Sequence, residues 1–290
     1  MKRIFLSFLL ICIFALSACS SDTENTSQGK SGSSNTESEE VEVQNNEEEE
    51  EATDEIDNNL EEEKEKEQEE QEAKYIVAED WSLAPIEKGT NENVVLLTID
   101  DAPDKHAVEM AKTLKQLDVN AIFFVNGHFL DTPEEEEMLK EIHDMGFFIG
   151  NHTFNHVTIP DVSEEQQKEE ILSLNDRVEE IIGVRPVFFR APHGANTDYA
   201  IQVAEEEGMT VMNWSYGYDY FEPYMDAEKL TTAMVTGEGP EVDVPYSLLK
   251  PGANLLMHDR EWTAEALPGI VEGLRDKGYE MLDPGLIETN

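Results

Sequence analysis

The chain has 290 residues, enough for one or two domains, and carries 65 acidic against 20 basic residues, a net charge of −45. Such a surplus excludes nucleic acid and other polyanionic partners, which are held by basic patches. The only cysteines are Cys12 and Cys19, so everything after Ser20 must be stabilised by core packing rather than by a disulfide.

Taken from the N-terminus, Met1-Lys2-Arg3 precedes an apolar run from Ile4 to Ala18 that is too short for a comfortable permanent membrane span. A charged start, an apolar stretch and the small residues Leu16-Ser17-Ala18-Cys19 read as an export signal that resembles a bacterial lipobox. The expectation is removal of residues 1–19 up to a lipidated Cys19 and anchoring on the extracytoplasmic face of a bacterial cell membrane; an ordinary signal peptide is the alternative. Residues 20–75 are Ser, Asn, Thr, Gln and Glu with almost no large apolar side chain. Too little apolar surface can be buried there to offset chain entropy, so the segment is expected to be a disordered acidic linker, a solvated spacer without a specific partner.

Residues 76–290 form the expected folded domain. Between 75 and 290 the chain still carries 43 acids against 14 bases, so the folded part is acidic in its own right. Val94 to Ile99 is a continuous apolar run, as a buried strand requires. Helical spacing follows from His106 to Leu117, then a strand over Ala121–Val125 and a helix opened by Thr132-Pro133 that reaches about Met145. Phe147–Ile149 reads as a strand, Ser163–Ile182 as a long helix and Val187–Phe189 as a strand. A helix over Thr197–Glu207, strands at Met209–Met212 and Ala253–Met257, and a helix over Ala264–Lys277 complete the pattern. Strands alternating with helices predict parallel βαβ units. Tyr218–Lys250 breaks the rhythm and reads as a long loop with a short helix, a kind of segment that often faces substrate.

The residues able to do chemistry fall at the C-terminal ends of these strands, where parallel α/β barrels carry their sites. Asp100-Asp101 ends the first buried strand; one carboxylate there can ligate a cation while the other handles a proton, the alternative being that Asp101 or Asp104 caps the next helix. His152 and His156, four apart after the third strand, can converge on one metal ion. Arg190-Ala191-Pro192-His193-Gly194 offers a guanidinium to keep a carboxylate ionised and a shaped loop whose N–H can face an oxygen. His258, ending Leu255-Leu256-Met257-His258, is a candidate general acid.

Taken together, Thr98-Ile99-Asp100-Asp101, His152/His156, Arg190-Ala191-Pro192 and Leu256-Met257-His258 resemble the ordered motifs of the polysaccharide deacetylase family, carbohydrate esterase family 4, over about Asn93 to Pro284. The resemblance implies an α/β fold, a distorted (β/α) barrel of the NodB-homology type. It implies Asp100 as general base oriented by Arg190, and a divalent ion on Asp101, His152 and His156, zinc first with cobalt, nickel or manganese as alternatives. It further implies an oxyanion contact from the N–H of His193, an acetyl pocket lined by Leu256, and His258 as general acid. Three positions depart from the pattern: Ala102 stands where Gly is usual, His193 where an aromatic is common, and Asp219-Tyr220 is the nearest match to an Asp-Trp pair. On that alignment Asp219 tunes His258 and Tyr220 borders the substrate. The implied activity is hydrolysis of N-acetyl groups on an extracellular glycan, releasing acetate, with peptidoglycan as the first candidate because a membrane-tethered domain meets the wall. Chitin oligomers, O-acetyl esters and a catalytically weak wall-binding role are the alternatives, and the oligomeric state is left open.

Overall fold

A computed structural model describes residues 72–290; the expected export signal, Cys19 and nearly all of the expected acidic linker lie outside them. A short antiparallel hairpin, β1 (Tyr75–Val77) and β2 (Leu83–Pro85), leads into the sheet. The sheet consists of β3 (Val94–Ala102), β4 (Ile122–Val125), β5 (Phe148–Asn151), β6 (Phe188–Phe189), β7 (Thr210–Val211), β8 (Ala253–His258) and β9 (Glu280–Met281). Every pairing in it is parallel, in the order β7-β6-β5-β4-β3-β8, with β9 beside the start of β3.

Among the described residues six α-helices connect the strands: α1 (Ala107–Gln116), α2 (Pro133–Asp144), α3 (Glu164–Ile182), α4 (Asp198–Glu206), α5 (Ala227–Thr236) and α6 (Glu261–Asp276). Four of these starts, those of α2 to α5, follow ordinary capping chemistry. Thr132 and Glu135 close a reciprocal capping box on α2, Ser163 accepts the Gln166 N–H at α3, and Thr197 accepts the Ala200 N–H at α4.

Period-two alternation on β3 sorts the two faces. Val95, Leu97 and Ile99 point to the layer filled by Met110 and Leu114 of α1 and by Leu267 and Ile270 of α6. Leu96 points the other way, into a cluster with Phe124, Phe188 and Met212 that Tyr75, Leu83 and Ile287 close from below. The sheet curls around this inner cluster into an open barrel. Residues 215–216 run beside β8 through Ser215 N–H to Asn254 O (2.7 Å) and Leu256 N–H to Tyr216 O (2.9 Å), taking up the edge that β8 would otherwise expose.

The expected distorted barrel is therefore present, with two local differences. The last helix begins at Glu261 rather than Ala264, and the Tyr218–Lys250 segment, which holds the expected short helix, is in part packed against the core. Its helix α5 buries Leu230, Ala233 and Met234 in the main core, and Tyr218 is itself buried, its hydroxyl donating to Gly237 O at 2.7 Å.

Candidate metal centre and acid–base pairs

All the strand-end residues singled out in the sequence meet at one mouth of the barrel. A cavity of about 480 Å³ is lined by Asp100, Asp101, His152, His156, His193, Trp214, Tyr220, Leu256, His258 and Arg260. Its geometry begins with a bulge. Ile99 pairs with Phe123 and Ala102 with Val125, so β3 carries one residue more than β4 between these partners. An extra residue interrupts the alternation of side chains. Asp100 continues the inward face of Leu96 and Thr98, while Asp101, at φ 61°, is turned to the same mouth instead of outward. Neither Asp101 nor Asp104 caps α1, whose N-cap is His106 without a side-chain bond.

Left-handed backbone is costly for a residue with a side chain and collects where function over-determines it. Among the described residues seven non-glycines have positive φ, and four of them, Asp101, Thr153, His156 and His193, belong to this mouth or its supports. Asn151 and Asn126 hold the histidine turn. Asn151 Oδ1 accepts the Thr153 N–H (2.9 Å), and the Asn126 amide donates to the carbonyls of His152 and Thr153 (2.7 and 3.1 Å).

Asp101, His152 and His156 offer one ligand atom each, all within 4.8 Å of one another. His156 Nε2 lies 3.4 Å from Asp101 Oδ1, and His152 Nε2 lies 3.9 Å from the same oxygen. Tetrahedral zinc with bonds near 2.1 Å needs ligand atoms about 3.4 Å apart, so this triangle has the size of a metal site. The donor chemistry fits as well. His152 Nδ1 is 2.7 Å from Arg190 O, which assigns the proton to Nδ1 and leaves Nε2 with a free lone pair. Burial depresses the pKa of His152 to about 3, with Asp101 opposing, and burial also lowers that of His156. Both imidazoles are thus held in the neutral form that ligates.

Asp100 and Arg190 form a buried pair behind the triangle. Arg190 is fully buried, and its Nη1 donates to Asp100 Oδ1 at 2.6 Å and to Thr98 Oγ1 at 2.8 Å. Nη2 donates to Asn213 O (2.8 Å), Nε to Met212 O (3.3 Å), and the guanidinium carbon lies 4.2 Å above the Phe124 ring. Burial raises the Asp100 pKa, and Arg190 opposes that rise. The outcome is a carboxyl less acidic than usual yet fixed in direction, as a proton acceptor needs.

On the opposite wall Asp219, fully buried, accepts the His258 backbone N–H at 2.6 Å and faces His258 Nδ1 at 2.8 Å. Thr263 Oγ1 donates to the same carboxylate at 2.8 Å, and Trp262 Nε1 donates to the Asp219 carbonyl at 2.9 Å. Burial alone would lower the His258 pKa, but the Asp219 charge and hydrogen bond outweigh it and lift the imidazole to about 9. Leu256 is buried at the cavity floor, backed by Gly217, where an added Cβ would sit 2.5 Å from Leu256 O. Tyr220 stands at the rim with its ring edge-on to His258, 5.6 Å between centroids. His193 is exposed on the other side with its ring 5.1 Å from that of His156.

The polysaccharide deacetylase family model matches residues 87–212, which include β3 through β7 and both histidines. A peptidoglycan-N-acetylglucosamine deacetylase of Bacillus cereus is 30% identical over 200 residues, 66% of this chain and 69% of the relative. The chain belongs to the polysaccharide deacetylase family. A second relative, the peptidoglycan-N-acetylmuramic acid deacetylase PdaA of Bacillus subtilis, is 27% identical over 194 residues, covering 66% of this chain and 69% of its own. Among solved structures, one described as T48 deacetylase with substrate superposes with a TM-score of 0.58 at 26% identity, over 68% of this chain and 94% of that one. The matched model ends at residue 212, so Asp219 and His258 lie beyond it and rest on the geometry above.

Three contributors were not assigned from the sequence. Trp214 packs over Gly194, Asp259 accepts three backbone N–H groups of the 104–106 turn, and Arg260 bonds Asp101. Only Arg260 carried a signal, as a cation directly after His258-Asp259 at a strand end.

Proposed function

We propose that the chain is a metal-dependent deacetylase that hydrolyses N-acetyl groups of an extracellular glycan, peptidoglycan first. The observation that carries this is the opposition of two differently tuned pairs, Asp100–Arg190 and His258–Asp219, across one Asp–His–His triangle. Two titratable groups whose surroundings prepare one to accept and the other to donate a proton are the requirement for amide hydrolysis.

Asp101 Oδ1, His152 Nε2 and His156 Nε2 would hold the ion, with zinc the best match to a His₂Asp donor set and cobalt, nickel or manganese as substitutes. When bound, a divalent ion supplies Lewis acidity toward water and toward the acetamide carbonyl. Asp100, aimed by Arg190, takes the proton of the attacking water. The N–H of His193 faces the carbonyl oxygen as it gains charge. Leu256 walls the acetyl methyl, Tyr220 borders the sugar, and protonated His258 delivers its proton to the leaving nitrogen. Water and the acetamide become acetate and a free amino sugar.

The reading extends to location. The apolar run before Leu16-Ser17-Ala18-Cys19 and the acidic tract after it argue for export, lipidation at Cys19 and a tether over residues 20–75 that holds the 76–290 domain near the wall. A purely wall-binding role is less favoured, because binding alone needs neither the raised His258 nor an arginine dedicated to Asp100. Acetate release tests the proposal on purified peptidoglycan, N-acetylglucosamine oligomers and acetylated xylan. Release from peptidoglycan above the other two is expected; no release from any of them across zinc, cobalt, nickel and manganese would overturn it.

A further inference from the structure

Each of the two adjacent aspartates has its own arginine, and the two pairs are built alike. Asp100 gives Oδ1 to Arg190 and turns Oδ2 toward His152 Nε2 at 3.6 Å. Asp101 gives Oδ2 to Arg260 Nη2 at 2.7 Å and turns Oδ1 toward His156 and His152. Among the described residues no other side chain bonds Asp101. Arg260 is itself held from two directions. Its Nη1 donates to Asp259 O at 3.0 Å, and its backbone stands at the N-cap of α6. The turn it belongs to is pinned to the strand end that bears the aspartates. Asp259, almost fully buried, accepts the N–H groups of Asp104 (2.6 Å), Lys105 (3.0 Å) and His106 (2.6 Å) and donates its own N–H to Asp100 O at 3.0 Å.

We infer that Arg260 is the positioning residue of the metal centre: it occupies Asp101 Oδ2 and so fixes Oδ1 as the single oxygen presented to the ion. The inference rests on the metal-centre reading above. A carboxylate on a short side chain can rotate to offer either oxygen or both, and partners that bond the remote oxygen set which one is offered. The guanidinium suits this because its planar fork reaches Asp101 and the Asp259 carbonyl at once, which an ammonium on a flexible stem cannot do equally well. Arg260 is also partly exposed, so its charge is screened by water at the rim while its contact to Asp101 is directed inward.

The test compares the wild-type chain with Arg260→Ala and Arg260→Lys, each freed of metal and titrated with zinc against a chromophoric chelator. Cobalt-loaded samples are compared by visible absorption, and metal-free samples by thermal unfolding. Arg260→Ala is expected to bind zinc about 10- to 100-fold more weakly, to shift the cobalt bands, and to unfold at nearly the wild-type temperature without metal. Arg260→Lys is expected to recover part of the affinity. Zinc affinity within twofold of wild type in Arg260→Ala, or tighter, would overturn the inference while leaving the metal centre standing. Absence of zinc binding by the wild-type chain would instead overturn the metal centre and the role of Arg260 with it.

Discussion

Replacing Asp219 by Asn removes the charge that sustains a protonated His258 while keeping the size of the side chain and one accepting oxygen. His258 is lifted from an ordinary 6.5 to about 9 although burial pushes the other way; Asp219 is the largest contributor to that rise, and the charges of Asp100 and Asp101 add to it. That interval corresponds to about 3 kcal/mol at ~1.4 kcal/mol per pH unit. Without Asp219, burial should draw the imidazole back down toward its ordinary 6.5, against only the remaining pull of Asp100 and Asp101. A full return to 6.5 would take the protonated fraction at pH 8 from about nine-tenths to about 3%, so the loss in acid catalysis from protonation alone is up to roughly 30-fold. Stability follows the same sign. A group whose pKa is raised by folding contributes fully below its unfolded value and loses that contribution as pH climbs through the folded value. Wild type should therefore lose stability between about pH 6.5 and 9, and Asp219→Asn should lose less over that window. The assays are ring-proton NMR titration of His258 in the metal-free chain and the pH profile of kcat/KM for acetate release. A basic limb that stays near pH 9 in Asp219→Asn would refute the assignment of His258 as acid tuned by Asp219.

Asp100→Asn should retain metal, because Asp100 is not one of the three triangle ligands, yet lose about 10²- to 10⁴-fold in kcat; wild-type turnover with full metal content would exclude Asp100 as base. Arg190→Ala strips a fully buried carboxylate of its counter-charge and leaves a cavity under Phe124, so a loss of about 3–5 kcal/mol is expected in chemical unfolding. Gly217→Ala pushes a methyl into Leu256 O and Cβ, 2.5 and 2.8 Å from the new atom. It should destabilise by about 1–3 kcal/mol and raise KM through the acetyl pocket, measured by unfolding and steady-state kinetics.

Much of the fold was legible because its strands are short apolar runs that stop at polar strand ends. Val94–Ile99, Ala121–Val125 and Ala253–Met257 read as buried strands and are buried strands. The bulge at Asp100-Asp101 was not legible, since a period-two pattern cannot show that the partner strand is one residue shorter there. The start of α6 is not legible because Arg260, not Ser, Thr, Asp or Asn, occupies its N-cap; the nearby Asp259 spends its carboxylate on the 104–106 turn. The Tyr218–Lys250 segment meets the site only at its start, where Tyr220 lines the cavity and Asp219 holds His258, while Leu230, Ala233 and Met234 bind its helix to the core. The strands β1, β2 and β9 are two or three residues long, too short to give a pattern. As for the site, the aspartates, the histidines and Arg190 stood out by their company at strand ends. Arg260 did not, because a salt bridge across 159 positions depends on which turns the barrel brings together.

The account turns on an ion held by Asp101, His152 and His156, and metal content per chain measures that directly. Purified wild type dialysed against a trace of zinc should carry one equivalent, and a His152→Ala/His156→Ala chain, still folded by circular dichroism, should carry none. Equal zinc in both, or none in wild type, would contradict it.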